Sequence, residues 1–226
     1  MASNLRISLT ILTIGFAVEG AAEVYSLTSQ GAFLPGTSLL FLFPTLITLL
    51  GLLFILVGKH EWDELHRARV NRANTIFGLS LLAAFIAITE VAALAACPSI
   101  GVPGWAEVVF GGAIAAFVLG TFVTYSLLVF HLVHRPSKVA LVVAILWALI
   151  VSTLIGATLA TDVPTILDLI AARSLSFDSV VAPVDYLVSF LFLSYFLLLA
   201  AYLDAHVTVA RRLTHRHPPR APTTSS

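Results

Sequence analysis

Three glutamates lie inside long apolar segments of the sequence, where a carboxylate is costly. Glu19 and Glu23 are four residues apart, which places them one turn apart on one face of a helix, and Glu90 lies at a similar depth in another segment. A carboxylate in the middle of a membrane span costs on the order of 3 kcal/mol, and such side chains usually face the protein interior. We therefore expect Glu19 and Glu90 to approach each other, with Glu23 nearby, in a cavity that binds a proton or a cation. The alternative is an outer vestibule in which the three groups only hydrogen-bond to water and hydroxyl side chains.

A second set of polar residues lies near the ends of the apolar segments. Imidazole and carboxylate groups are ligands of Zn²⁺ and Fe²⁺. The candidate ligands are His60, Glu64, His131, His134, Asp204 and His206. Their spacing matches no metalloprotease pattern such as His-Glu-x-x-His, and histidines at helix ends are usually polar caps. We therefore predict no bound metal, haem or other cofactor, and a metal-dependent membrane enzyme is the least favoured alternative.

Six long apolar segments must position these residues, and each is long enough to cross a hydrocarbon core of about 30 Å as a helix. They cover residues 5–28, 38–58, 75–97, 106–131, 139–160 and 185–207. The 226-residue chain is 59% hydrophobic and only 11% charged, whereas roughly 25% of a soluble domain is charged. The predicted fold is all-α, an integral membrane bundle of six transmembrane helices over residues 1–212 with a disordered cytoplasmic tail over residues 213–226.

The distribution of charge predicts the orientation of this bundle. When the six segments are threaded in order, 11 of the 12 lysines and arginines fall on one side, and only Arg173 falls on the other. Short cytoplasmic loops retain Lys and Arg, so both termini are predicted to be cytoplasmic in a multi-pass protein of the cell membrane. This topology accounts for the concentration of lysine and arginine on the cytoplasmic side, so these residues do not indicate nucleic-acid binding. Contact of this basic side with anionic lipid or with a partner protein is a further expectation. A secretory signal cleaved near residue 22 is the alternative interpretation of the first segment.

Small residues at four-residue spacing predict how two of the helices pack, because helices in lipid associate by close backbone approach. The two stripes are Gly112, Ala116 and Gly120 in the fourth segment, and Ser152, Gly156 and Ala160 in the fifth. We expect these stripes to face each other. After the fifth segment, Asp162 and Pro164 followed by apolar residues predict a short helix in the outer membrane interface.

The intramembrane carboxylates favour one functional class, a small transporter or channel linked to protons or cations. The alternative class is a non-catalytic accessory, sensor or scaffold protein of the membrane. Six spans and short loops leave no room for a soluble catalytic domain, and the single cysteine, Cys97, excludes an internal disulfide and a cysteine-based metal motif. Enzymatic activity is therefore the less favoured expectation.

Overall fold

The computed structural model describes residues 3–28, 38–59, 64–97, 102–174, 179–180 and 182–216. Within these ranges the chain is helical and has no strand. The helices are α1 (Ser3–Thr28), α2 (Ser38–Gly58), α3 (Glu64–Ala96), α4 (Gly104–Val129), α5 (Arg135–Thr161), α6 (Val163–Ala171), α7 (Asp185–Ser189) and α8 (Phe192–Arg216).

Five helical segments are long and apolar enough to cross a membrane. They are Asn4–Thr28, Glu64–Ala96, Gly104–Val129, Arg135–Thr161 and Asp185–Arg211. The last of these contains both α7 and α8. Helix α2 is also apolar, and within it Leu46–Gly58 is a shorter apolar stretch of the described residues. Length and composition therefore support five of the six expected spans.

Two helices differ in length from the segments predicted for them. Helix α3 has 33 residues and begins at Glu64, eleven residues before the predicted span. The extension contains good helix formers, and Arg67 pairs with Glu64 at 3.4 Å within it. Helix α8 runs to Arg216, so it continues into the segment predicted as a disordered tail.

The long helices form an up-and-down arc in the order α2, α1, α8, α5, α4, α3. Neighbours are antiparallel, as the contacting residues show. These contacts are Gly58 with Asn4, Ser26 with Ser189, His134 with Asp204, Gly156 with Gly111, and Gly120 with Ser80. The bundle therefore has two ends, which we call the Arg6 end and the Thr28 end. Helix α1 packs against α2, α7 and α8.

Helices α4 and α5 approach closely, but not through both predicted stripes. Gly156 of α5 packs against the backbone of Gly111 and against Ala115, whereas a side chain at Gly112 would meet nothing within 4 Å. Gly120 instead faces Ser80 of α3. The prediction that α4 and α5 pack through Gly112 and Gly120 is therefore wrong, because α4 carries two adjacent small-residue faces and uses the neighbouring one for α5.

A cluster of aromatic side chains packs around α1 in the middle of the bundle. The ring of Phe16 lies 5.1 Å from the ring of Tyr125, 5.0 Å from Tyr202 and 6.4 Å from Tyr195. The Tyr202 hydroxyl donates to the backbone carbonyl of Tyr125 at 2.9 Å. Aromatic side chains from α4 and α8 thus enclose the face of α1 that carries the glutamates.

The predicted continuous helix over residues 185–207 is broken between α7 and α8. The backbone N–H of Leu191 donates to the carbonyl of Val188 at 2.8 Å, which tightens the chain into a turn. The indole N–H of Trp147 on α5 donates to the carbonyl of Phe190 at 2.7 Å. A freed backbone carbonyl inside an apolar bundle needs such a partner, so α5 stabilises the break.

Helix α6 follows α5 after a single residue, Asp162. It packs on α3 and α5 and buries Val163 and Ile166. A short helix therefore lies where the sequence predicts one.

Candidate functional site

Two of the predicted acidic residues lie together on the inner face of α1. Glu23 is buried, with 6% of its surface exposed, and Glu19 is half-buried one turn away. A third carboxylate, that of Asp185 at the start of α7, lies near enough to Glu23 to repel it electrostatically. The cluster of Glu19, Glu23 and Asp185, which we call the acidic cluster, runs from the interior of the bundle towards its Thr28 end.

Hydroxyl groups from three other helices surround Glu19. The Thr48 hydroxyl of α2 donates to Glu19 Oε1 at 3.4 Å, and the Tyr195 hydroxyl of α8 donates to the same carboxylate. Tyr125 of α4 hydrogen-bonds to Thr48. Thr48 therefore contacts both Tyr125 and Glu19. The result is a chain of hydrogen bonds from Tyr125 through Thr48 to Glu19, with Tyr195 as a second donor.

Small residues bring these groups within reach of one another. A side chain at Gly15 would place its Cβ 2.6 Å from the Cγ2 atom of Thr48, so glycine is what lets α2 present Thr48 to Glu19. At the Thr28 end, the Ser189 hydroxyl donates to the Ser26 hydroxyl at 2.8 Å. This bond fastens α7 to α1 and holds Asp185 beside Glu23.

The acidic cluster has no basic partner in the described part of the chain. No Lys, Arg or His side chain there forms an ion pair with Glu19, Glu23 or Asp185. Burying several carboxylates without a compensating charge is strongly unfavourable if all of them stay ionised. The arrangement therefore suits the binding of a proton or another cation.

Glu90 does not join this cluster. Its helix, α3, packs against α4 and α6 at the far side of the arc from α1. Both carboxylate oxygens of Glu90 are buried, and neither has a hydrogen-bond partner among the described residues. The expected approach of Glu90 to Glu19 is wrong, and Asp185 occupies the role that was predicted for Glu90.

The structure brings only two of the candidate metal ligands, His134 and Asp204, into contact among the described residues, and His60 lies outside those residues. His134 Nδ1 contacts Asp204 Oδ1 at 2.7 Å, and Glu64 pairs with Arg67 instead. Nowhere in the described ranges do three or more His, Cys, Asp or Glu side chains form a group able to hold a metal ion.

Two further histidines at the Arg6 end have separate surroundings. His131 at the end of α4 lies 3.1 Å, Nε2 to Nδ1, from His66, which is buried on α3 and was not among the candidates. The two imidazoles join the extension of α3 to α4. His206 lies on α8 beside Arg6 of α1. The structure thus distributes the predicted ligands over several places.

Sequence reasoning missed four residues of the site. Asp185 lies at the start of the last apolar segment and Tyr195 lies within it, and the spacing of neither residue indicates a site. Only the polar side chains of Thr48 and Tyr125, within apolar segments, could have marked them as residues of a site. Their roles depend on which helices are neighbours, which no local pattern encodes.

The fold and the site together define an all-helical chain with five helices able to cross a membrane and a buried acidic cluster. Comparisons with protein-family models, curated proteins and solved structures give no match to this chain.

Proposed function

We propose that the chain is an integral membrane protein of six spans, in which α2 is the second span and α7 with α8 is the sixth. Both termini lie on the cytoplasmic side, at the Arg6 end. The charges support this placement: the described lysines and arginines gather at the Arg6 end, and Arg173 alone among them lies at the other. Helix α6 then lies in the outer interface, with Val163 and Ile166 turned towards the bundle.

We propose further that the protein is a small proton- or cation-linked transporter or channel. The observation that carries this proposal is the acidic cluster, whose three carboxylates share one region without a basic partner among the described residues. Keeping Glu19, Glu23 and Asp185 all ionised there would cost several kcal/mol, on the order of 3 for each carboxylate at membrane depth. A bound proton or cation removes that cost.

A proton is the better ligand than a metal cation. Among the described residues the hydrogen-bond partners of Glu19 are the hydroxyls of Thr48 and Tyr195, which are fewer than the oxygen ligands that a metal cation takes. The hydrogen-bonded chain through Thr48 to Tyr125 offers a path along which a proton can be passed, because each hydroxyl both donates and accepts. The cluster would take up the proton from the outer side, through Asp185 and Glu23.

The broken helix supports the same function. Transporters often build their binding sites beside discontinuous helices, and irregular backbone is tolerated in a membrane where it is buried in protein. Here the break between α7 and α8 separates Asp185 from Tyr195, which are both members of the site.

The test is proton flux into liposomes that contain the purified protein and a pH-sensitive dye, measured after a pH gradient is imposed. We expect flux in the wild type and its near-complete loss in Glu19→Gln and Glu23→Gln, which keep the shape of the side chains but cannot ionise. Glu107→Gln, on α4 outside the cluster, is the matched control and should retain flux. Absence of proton flux in the wild type, with Na⁺ and K⁺ gradients equally ineffective, would reject the proposal, as would full flux in both Gln variants.

A second candidate function, a non-catalytic accessory or scaffold protein, is favoured by the exposed apolar face of α3. Among the described helices, α3 has extensive contacts only with α4 and α6. It exposes the large apolar side chains of Leu79, Leu82, Phe85 and Ile88. Photo-crosslinking from position 85 in native membranes distinguishes the cases. A discrete protein adduct would support a partner on α3, and lipid adducts alone would indicate that this face meets only the bilayer.

A further inference from the structure

A shallow groove of about 460 Å³ lies between α1 and α8 at the Arg6 end of the bundle. It is lined by Arg6, Ile7, Thr10, Ile11 and His206, and its exposed lining is mostly apolar. The acidic cluster uses none of these residues. The groove is therefore separate from the acidic cluster.

The polar part of the groove suits an anion. Arg6 is exposed and forms no ion pair with any described residue. It lies near the N-terminus of α1, where the helix dipole adds positive potential. The planar guanidinium binds phosphate through two parallel hydrogen bonds, and His206 can add a third donor from α8.

The apolar part of the groove suits a hydrocarbon chain. Ile7 and Ile11 are one turn apart on α1 and continue from Arg6 towards the middle of the bundle. Ile7 is 43% exposed, which leaves its side chain available for contact. The Thr10 hydroxyl donates to the carbonyl of Arg6 at 2.9 Å, so it does not make this wall polar. A free anion would use Arg6 and leave the isoleucines uncovered.

We propose that this groove binds an anionic phospholipid, with the phosphate on Arg6 and His206 and an acyl chain along Ile7 and Ile11. The inference rests on the membrane placement proposed above, because the Arg6 end must face the cytoplasmic leaflet, where anionic lipids attract basic residues.

The test is native mass spectrometry of the full chain released from detergent, after addition of dioleoyl phosphatidylglycerol or dioleoyl phosphatidylcholine. The two lipids share their acyl chains and differ in net charge. We expect the wild type to retain phosphatidylglycerol in preference to phosphatidylcholine, and Arg6→Gln to bind phosphatidylglycerol about fivefold more weakly. Arg72→Gln removes an exposed charge from α3 at the same end, away from the groove, and should bind as the wild type does.

A second variant keeps the test decisive if Arg6→Gln does not fold. Ile7→Trp fills the groove without changing the charge, and it too should lose phosphatidylglycerol. Equal retention of the two lipids by the wild type would overturn the inference, and so would equal losses in Arg6→Gln and Arg72→Gln. Displacement of the lipid by excess inorganic phosphate would also overturn it, since a phosphate-ion site would then explain the binding. Because binding is measured without flux, these failures leave the transport proposal untouched.

Discussion

Asp204 illustrates how a residue chosen for its ligand chemistry can have a structural role. One of its carboxylate oxygens accepts the backbone N–H of His134 at 2.8 Å, and the other accepts the imidazole Nδ1–H at 2.7 Å. The Ser137 hydroxyl donates to the same carboxylate. A helix N-terminus leaves such backbone donors without partners, and the His134 side chain does not cap α5. A carboxylate from α8 therefore binds the backbone N–H of the N-cap residue of α5, as the acidic residue of a capping box does.

We accordingly expect Asp204→Ala to lower the free energy of unfolding by about 1–2 kcal/mol, the usual effect of removing a helix cap. The measurement is thermal unfolding in detergent. Asp168→Ala, at an exposed position of α6, should change stability by less than about 0.5 kcal/mol. Elemental analysis of the same samples gives an independent check, since a metal present in the wild type and lost in Asp204→Ala would contradict the structural role.

The acidic residues show what single positions can and cannot predict. The cost of a carboxylate in an apolar segment depends on local sequence, so Glu19 and Glu23 could be identified as residues of the interior. Which third carboxylate accompanies them depends on the order of the helices in the arc. Asp185 reaches Glu23 because α7 packs on α1, and Glu90 is excluded because α3 lies beyond α4. Neither fact follows from hydropathy or spacing.

At the scale of the elements, the contact between α4 and α5 depends on one of two adjacent glycines. A Cβ atom at Gly111 would clash with the carbonyl oxygen of Gly156 and lie 2.8 Å from the Cβ atom of Ala160. A Cβ atom at Gly112 would meet nothing within 4 Å. The two positions have the same residue type and nearly the same depth, so they form a matched pair.

We expect Gly111→Ala to destabilise the protein by about 1–3 kcal/mol, because the backbones of α4 and α5 must separate to admit the methyl group. Gly112→Ala should leave stability unchanged or raise it slightly, since alanine favours the helix. Thermal unfolding of both variants in detergent measures the difference. Similar effects at the two positions would contradict the packing of α4 on α5 described above.

The break between α7 and α8 is a helix boundary that the sequence did not predict. Residues 185–207 contain no Pro or Gly, so the sequence favours a single helix there. The break depends on Trp147, which comes from α5 and satisfies the carbonyl of Phe190. By contrast, the bounds of α2 coincide with the predicted segment 38–58 because a continuous apolar run decides them locally.

At the scale of the whole molecule, the antiparallel helices place most basic and most acidic side chains at opposite ends of the bundle. The described part of the Arg6 end holds most of the basic side chains and the histidines, whereas the acidic cluster leads towards the Thr28 end. Short-loop charge asymmetry of this kind sets membrane orientation. The sequence therefore predicts an orientation, which stays a prediction, but it does not predict the neighbours of each helix.

Helix α3 provides the test of this orientation, because its two ends carry suitable positions for cysteine labelling. The native Cys97 follows the helix and is exposed, and Ala68 is exposed near its start. The two positions are separated by about 44 Å of helix at 1.5 Å per residue, more than the hydrocarbon core of a bilayer. In intact cells an impermeant thiol reagent should label the native Cys97. A cysteine at position 68, introduced as Ala68→Cys together with Cys97→Ser, should react only after the cells are permeabilised. The reverse pattern would invert the topology, and labelling of both positions in intact cells would mean that α3 does not cross the membrane.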